Sequence, residues 1–168
     1  LGNYRRFFSE DPVAMTSFFN SLKMMGLTLV FQVGLALMLA LMVDSVRKGQ
    51  QLFRVVYFFP IVISATAIGL MFNLFYKYDG GMLNQLLAKL GMDKVLWLSK
   101  ESAYTMVVIP TLWQYIGFYF VIILTGLAGI PQEIFESAAI DGATGVRKIW
   151  YVTLPLISDV LITCVTLA

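Results

Sequence analysis

The stretch ESAAIDGATGVRKIWYVTLP, from Glu136 to Pro155, lies between two strongly apolar segments and sets the organisation of the chain. It begins with an acidic segment of small residues typical of a helix, breaks at Gly142 and leads to Leu154-Pro155. A polar helical elbow of this kind gains nothing from contact with the hydrocarbon of a bilayer. We therefore expect the elbow to lie outside the membrane and to present a shaped surface to a soluble partner.

The composition is that of a membrane protein. The chain has 168 residues, of which 59% are hydrophobic and 13% charged, and its mean hydropathy is +0.80. Soluble domains carry about 25% charged residues. The length predicts a single domain over residues 1–168, with the elbow at about 131–155. A net charge of +2 gives no reason to expect nucleic acid as a partner.

Histidine is absent and Cys164 is the only cysteine. This composition excludes a disulfide framework and argues against a metal site. The sequence also lacks the G-x-x-x-x-G-K-[ST] loop that cradles ATP phosphates, and Cys164 has no evident activating partner. We therefore expect that this chain is not an enzyme.

Uncharged runs long enough to cross a bilayer, about 20 residues each, recur along the chain. They are Met24 to Val43, Val55 to Tyr76 and Ser102 to Pro131, and a fourth run from near Ile149 to Ala168 is interrupted only by Asp159. Lipid cannot satisfy exposed backbone groups, so such runs are predicted to be helices. The sequence thus predicts an all-α polytopic membrane protein.

Consecutive spans alternate sides, so the first connection, Asp44 to Arg54, and the elbow share one face. Basic residues concentrate beside these two connections, which favours that face as cytoplasmic; they are Arg47, Lys48, Arg54, Arg147 and Lys148. The middle connection, Lys77 to Glu101, carries four lysines that weaken this bias. It also contains a predicted amphipathic helix at Met82 to Leu90. Pro60 and Pro110 are expected to kink their helices.

The elbow closely resembles the EAA loop of ABC importer permeases. That loop has Glu-Ala-Ala, three further residues, a Gly, nine residues and Ile-x-Leu-Pro. The matching residues here are Glu136, Ser137, Ala138, Gly142, Val152, Leu154 and Pro155, with Ser137 in place of Ala and Val152 in place of Ile. Features in the same order resemble the carbohydrate-uptake branch: Asn3-Tyr4-Arg5-Arg6, Arg54 with Phe58-Phe59-Pro60, Gly81 with Asn84 and Gly91, Trp97-Leu98-Ser99, Ile130-Pro131 and Asp141.

This resemblance implies a type I ABC importer permease fold, of which the chain holds about four of six core transmembrane helices, with one span expected before Leu1 and one after Ala168. It implies a cytoplasmic elbow that couples to ATPase subunits through Glu136, Ser137, Ala138, Asp141, Gly142, Leu154 and Pro155. The implied partners are a second permease subunit, two ATPase subunits and an extracytoplasmic solute-binding protein. ATP and Mg would bind the ATPase subunits, and no cofactor is expected on this chain.

Polar and aromatic residues inside the spans are the candidates for a sugar path. Thr111, Tyr115 and Tyr119 fall at i, i+4 and i+8, which places them on one helix face. Trp113, Gln114 and Asn73 add stacking and hydrogen-bonding groups. Aromatic rings beside amides and hydroxyls suit a sugar, which has apolar CH faces and many hydroxyls. The alternative is that the same side chains only pack between helices.

Two alternatives for function remain open. One is the same type of importer with another polar solute, such as glycerol phosphate. The other is a channel or structural membrane subunit, which would need only the spans. The elbow argues against the second alternative, since a channel has no use for an ATPase docking surface.

Overall fold

The computed structural model describes residues 7, 12–46 and 49–168, and every regular element within them is helical. In chain order these are α1 (Pro12–Leu27), a π-helical turn (Thr28–Val33), α2 (Gly34–Asp44), α3 (Gln50–Val62), α4 (Ala65–Tyr76), α5 (Met82–Lys89), α6 (Ala103–Ala128), α7 (Gln132–Ile140), α8 (Gly145–Lys148), a second π-helical turn (Ile149–Thr153), α9 (Leu154–Leu156) and α10 (Ser158–Leu167). The predicted all-helical fold is confirmed. The residues Asn3–Arg6, Arg47 and Lys48 lie outside the described ranges.

Segments able to cross a membrane lie where the sequence predicts the four spans. Val13–Asp44 and Ala103–Ala128 are single helices of sufficient length and apolarity. The pair α3 and α4, and the segment Gly145–Leu156 with α10, qualify as bent pairs, with bends of 91° and 70°. The first span begins at Val13, well before the predicted start at Met24. The uncharged run was limited on its N-terminal side by Lys23, but the helix continues through this single lysine.

The second span is broken rather than merely kinked. Helix α3 ends at Val62, two residues after Pro60, and both Ile63 and Ser64 are extended, with ψ of 135° and 136°. The break leaves the Ile63 carbonyl outside a regular helix, where it accepts a hydrogen bond of 3.2 Å from Nε2 of Gln114. Pro110, the other predicted kink, does not interrupt α6.

Helix α6 lies at the centre, with α2, α3 and α10 packed on it. Its buried Phe120, Ile123 and Leu124 form the core together with Ala36 and Ala40 of α2 and with Cys164 of α10. Small residues such as Ala36 and Ala40 let membrane helices approach closely. The position of α6 in the core is what places its polar side chains against the other spans.

The connection between α4 and α6 is fastened by one buried amide. Asn84, on α5, donates from Nδ2 to the carbonyls of Tyr78 at 3.0 Å and Val95 at 2.9 Å. Its Oδ1 accepts from the Val95 amide and from Nε1 of Trp97, both at 3.0 Å. The predicted amphipathic helix is confirmed as α5, and Asn84 joins it to both flanking segments.

Charged side chains of the same connection are exposed. Lys94 Nζ lies 2.7 Å from Oδ1 of Asp79, and this hydrogen bond, with the charge of Asp79, raises the pKa of Lys94. Hydrogen bonds from its own backbone amide and from Ser99 lower the pKa of Glu101. Both groups are therefore charged at neutral pH. Exposed pairs of this kind contribute little to stability.

Candidate functional site

Helix α7 forms the first half of the elbow and ends in a glycine turn. Gly142 has φ of +79°. The amide of Ala143 donates to the Ala138 carbonyl at 2.8 Å, and that of Gly142 donates to the Ala139 carbonyl at 3.1 Å. These two bonds form a Schellman motif, which satisfies the last carbonyls of the helix. The predicted break at Gly142 is confirmed, and it is a left-handed turn.

The acidic side of α7 lies on its surface. Pro131 is the N-cap, with ψ of 136°, and lies just before the first helical turn. Glu133 is in that first turn, where the helix dipole favours a carboxylate, and Glu136 follows one turn later. Ala138 is the buried residue of this helix, and the other predicted coupling residues Glu136, Ser137, Asp141 and Gly142 are exposed.

A hollow of about 970 Å³ separates the elbow from the end of the first span. Lys148 lies on one side of it, with Nζ 4.6 Å from the ring centroid of Phe135. Of the predicted coupling residues, Glu136 lines the hollow. Its further lining includes Asp44, Ser45, Gln132 and Thr144. The rim thus carries both acidic and basic side chains.

Large apolar side chains surround the elbow without being covered in this chain. Ile140 is 87% exposed, Val146 69%, Trp150 64% and Tyr151 77%. An apolar surface rimmed by polar residues is a typical protein interaction site. These four residues were not among the predicted coupling residues. The signal that could have identified them is their apolar character within an otherwise polar segment.

The elbow continues into the last span through a second π-helical turn. Leu154 packs against the core, and Pro155 lies in the first turn of α9. The chain then bends by 70°, next to Ile157, which is 1% exposed. Because Leu154 and Ile157 both contact the core, the elbow is joined to the spans without a flexible linker.

A second candidate site is a cavity of about 310 Å³ between α4 and α6, next to the break in the second span. Three of the predicted path residues line it, namely Asn73, Thr111 and Gln114. Trp113 contacts this wall from outside, with its ring 5.9 Å from the ring of Phe72, which lines the cavity. The structure therefore brings together side chains that lie far apart in the sequence.

The aromatic pair of α6 lies elsewhere. Tyr119 is 4% exposed and belongs to the core, whereas Tyr115 is 40% exposed, and neither lines the cavity. Four residues of an α-helix overshoot a full turn by about 40°. Over the eight residues from Thr111 to Tyr119 this drift reaches about 80°, enough to move Tyr119 into the packed interface.

The cavity wall combines aromatic, amide and backbone groups. Pro110 has no N–H, so the Met106 carbonyl one turn earlier lacks its usual helical donor. Gln114 uses Nε2 for the Ile63 carbonyl, and Oγ1 of Thr111 donates to the Val107 carbonyl at 3.3 Å. Lining residues that sequence reasoning missed include Gly69, Phe72, Tyr76, Met106 and Pro110. The spacing of Phe72, Asn73 and Tyr76 on one helix would have indicated the two aromatic residues among them.

Nothing in the described residues suggests a metal centre, since no three His, Cys, Asp or Glu side chains gather there. The cavity offers hydrogen-bonding groups beside rings and apolar side chains. Such a lining suits a polar organic molecule.

Residues 32–168 match the family of binding-protein-dependent transport system inner membrane components. The chain belongs to this family. The match contains the elbow, α6 and the broken second span, so both candidate sites lie within it. The predicted resemblance to ABC importer permeases is thereby confirmed, as is the predicted location in the cell membrane.

Several permeases of this family are similar over most of the chain. A probable ABC transporter permease, YurN of Bacillus subtilis, is 35% identical over 92% of this chain and 54% of its own length. The arabinooligosaccharides transport permease AraP of Halalkalibacterium halodurans is 33% identical over 100% of this chain and 54% of its own. The chain thus spans about half the length of the curated relatives it matches.

Solved structures show the same fold. A crystal structure of a bacterial alginate ABC transporter, in complex with an alginate pentasaccharide-bound periplasmic protein, matches with a TM-score of 0.82 and 26% identity. The match covers 90% of this chain and 54% of that one.

Proposed function

We propose that this chain forms part of the translocation path for a neutral sugar or oligosaccharide in an ATP-driven importer. The elbow would couple this path to separate ATPase subunits on the cytoplasmic side. The observation that carries the proposal is the elbow itself, because an exposed apolar surface lies there beside a charged hollow. Such a surface suits a protein partner, and the resemblance of the elbow to an EAA loop implies that this partner is an ATPase subunit.

The solute is inferred from the cavity between α4 and α6. The described residues that line it include Asn73, Thr111 and Gln114 together with Phe72 and Tyr76, and none of them is a lysine or an arginine. A phosphate group is normally bound by Arg or Lys side chains or by a helix N-terminus. The sn-glycerol-3-phosphate permease UgpA of Yersinia pseudotuberculosis is 31% identical to this chain. The uncharged lining nevertheless favours a neutral sugar over a sugar phosphate.

Coupling would proceed through the rigid connection between the elbow and the spans. Closure of the ATPase subunits around ATP would move α7. Leu154 and Ile157 would transmit that movement to the core, since both pack against it. The spans would then alternate between inward-open and outward-open states. A second permease subunit and an extracytoplasmic solute-binding protein complete the proposed assembly.

Two matched carboxylates test the docking assignment. Both glutamates are exposed, but Glu136 lines the hollow and Glu133 lies outside it. In the full-length protein, we expect Glu136→Lys to reduce co-purification of the ATPase and ATP-driven uptake about tenfold or more, and Glu133→Lys to have a much smaller effect. Wild-type uptake and co-purification in Glu136→Lys would refute the docking role. Uptake that continues without ATP would favour the channel alternative.

The solute assignment is tested separately with Asn73→Leu. Loss of one hydrogen bond to a bound sugar should raise the KM for uptake about tenfold without lowering subunit abundance. The control is Leu74→Ala, at a neighbouring exposed residue outside the cavity. Competition with a neutral oligosaccharide and with sn-glycerol 3-phosphate distinguishes the two solute classes. Unchanged KM in Asn73→Leu would remove this cavity from the path.

A further inference from the structure

Gln32 makes a contact that neither the sequence pattern nor the family match assigns. It lies in the π-helical turn of the first span, is 3% exposed, and donates from Nε2 to the backbone carbonyl of Thr111 at 3.0 Å. An apolar side chain of similar size would fill the same space without the cost of burying an amide. The choice of glutamine therefore points to the hydrogen bond rather than to packing.

Thr111, together with Val107, lines two neighbouring hollows. It lines the cavity of about 310 Å³ with Asn73 and Gln114, and a second hollow of about 270 Å³ between α1 and α6. The second hollow is also lined by Asn20 and Tyr104. A displacement of Thr111 would therefore change the shape of both spaces at once.

The turn of α6 that carries Thr111 is weak by its own chemistry. Pro110 removes one helical hydrogen bond there, and its ring crowds the carbonyl of Met106. Two glutamine amides hold this turn from either side. Gln32 binds the Thr111 carbonyl from the first span, and Gln114 binds the Ile63 carbonyl at the break in the second span.

The π-helical turn places Gln32 for this contact. A π-helical turn is wider than an α-helical turn, so it rotates the residues after it relative to those before it, and such turns occur often at functional sites. Thr28 in the same turn is also buried, and its Oγ1 lies 3.4 Å from the carbonyl of Ala168 in the last span. The turn therefore contacts both the helix that lines the cavity and the span that follows the elbow.

We infer that Gln32 is a positioning residue for solute recognition. By holding the Thr111 carbonyl, it fixes the proline-weakened turn of α6 and with it the wall that faces the sugar. The inference rests on the proposed function of the cavity. The first span contributes no residue to the cavity lining. Through Gln32 it would nevertheless take part in selecting the solute.

The test compares Gln32→Met with Gln50→Met in the full-length transporter. Methionine keeps the approximate volume but lacks the donor. Gln50 is the matched control because its amide also binds carbonyls of the first span, those of Val43 at 3.2 Å and Asp44 at 3.4 Å, at the end far from the cavity. Uptake is measured over a range of sugar concentrations and divided by the amount of subunit in the membrane.

We expect Gln32→Met to raise the KM about three- to tenfold with a maximal rate per transporter close to wild type, and Gln50→Met to leave the KM unchanged. If Asn73→Leu raises the KM while Gln32→Met leaves it unchanged, the positioning role is refuted and the proposed function stands. If neither variant changes the KM, the cavity itself is wrongly assigned. Should Gln32→Met prevent insertion, Gln32→Leu, which also lacks the donor, provides the same comparison, and an unchanged KM there would overturn the inference.

Discussion

Gly117 of α6 lies directly against the backbone of Tyr57 in α3, so closely that a methyl group at position 117 would overlap the Tyr57 carbonyl oxygen. At this point the two spans are in contact through backbone atoms, and the Tyr57 ring also packs against Phe120, with ring centroids 5.1 Å apart. Lipid tails are as apolar as the side chains, so there is no hydrophobic driving force for helix association in a membrane. Helices associate there largely through van der Waals packing, which a close backbone approach increases. The obstacle to any larger residue is backbone, which cannot move away as a side chain can.

Gly117→Ala is therefore expected to destabilise the protein by about 1–3 kcal/mol through overpacking. The matched control is Gly34→Ala, at a helical glycine whose added methyl group meets nothing within 4 Å. That substitution should be neutral or slightly stabilising, because alanine favours the helix by about 1 kcal/mol. Thermal unfolding in detergent and subunit abundance measure both. Equal stability of the two variants would contradict the close approach.

Gly142→Ala is expected to weaken ATP-driven uptake while leaving the subunit in the membrane. A φ of +79° costs an L-residue about 1–2 kcal/mol, so the elbow would turn at a different angle. Gly129→Ala is the control, since Gly129 has φ of −80° at the end of α6. Protease sensitivity of the elbow should rise only in Gly142→Ala. Equal uptake and equal protease sensitivity in the two variants would show that the left-handed turn has no part in coupling.

The predicted orientation is tested by labelling single cysteines. Gln132 and Gln85 are both exposed, the first on α7 and the second on α5. We expect Gln132→Cys to react with a membrane-impermeant reagent only from the cytoplasmic side, and Gln85→Cys only from outside. The native Cys164 is fully buried and gives a low background. Labelling in the opposite sense would refute the orientation.

Asn84→Asp should loosen the connection between α4 and α6. A carboxylate accepts hydrogen bonds but cannot donate them, so the bonds to the Tyr78 and Val95 carbonyls would be lost at neutral pH. Buried carbonyls left without partners cost about 1–3 kcal/mol each. The control is Gln85→Glu, which removes one exposed bond to Gly80. Limited proteolysis of residues 77–101 is the measurement, and equal cleavage rates would contradict the role of Asn84.

Truncation of the two tyrosines of α6 should separate packing from solute contact. Tyr119→Ala leaves a cavity in the core and is expected to cost about 3–5 kcal/mol, seen as loss of subunit from the membrane. Tyr115→Ala, at a side chain that is 40% exposed, should preserve abundance. Uptake per remaining transporter is measured for two sugars of different length. Normal abundance of Tyr119→Ala together with altered sugar selectivity would return Tyr119 to the solute path.

Hydropathy and local chemistry determined much of this protein before any tertiary contact was considered. The spans follow from the cost of placing unsatisfied backbone and charge in lipid, which depends on composition alone. The left-handed turn at Gly142 and the amphipathic helix α5 also follow from local sequence. These features needed no knowledge of how the helices pack.

Only the tertiary structure decided which polar residues meet. The sequence could not place the break at Ile63, because Pro60 marks a weak point and neighbouring helices determine where the chain bends. The sequence pattern placed Thr111 and Tyr119 on one helix face, whereas the rotation of the helix puts Tyr119 in the core. The sequence pattern also gave no sign of the Gln32 contact. The physical reason is that the spans are nearly uniform in hydropathy. Their rotation and contact points are therefore set by close packing and single hydrogen bonds between residues far apart in the chain.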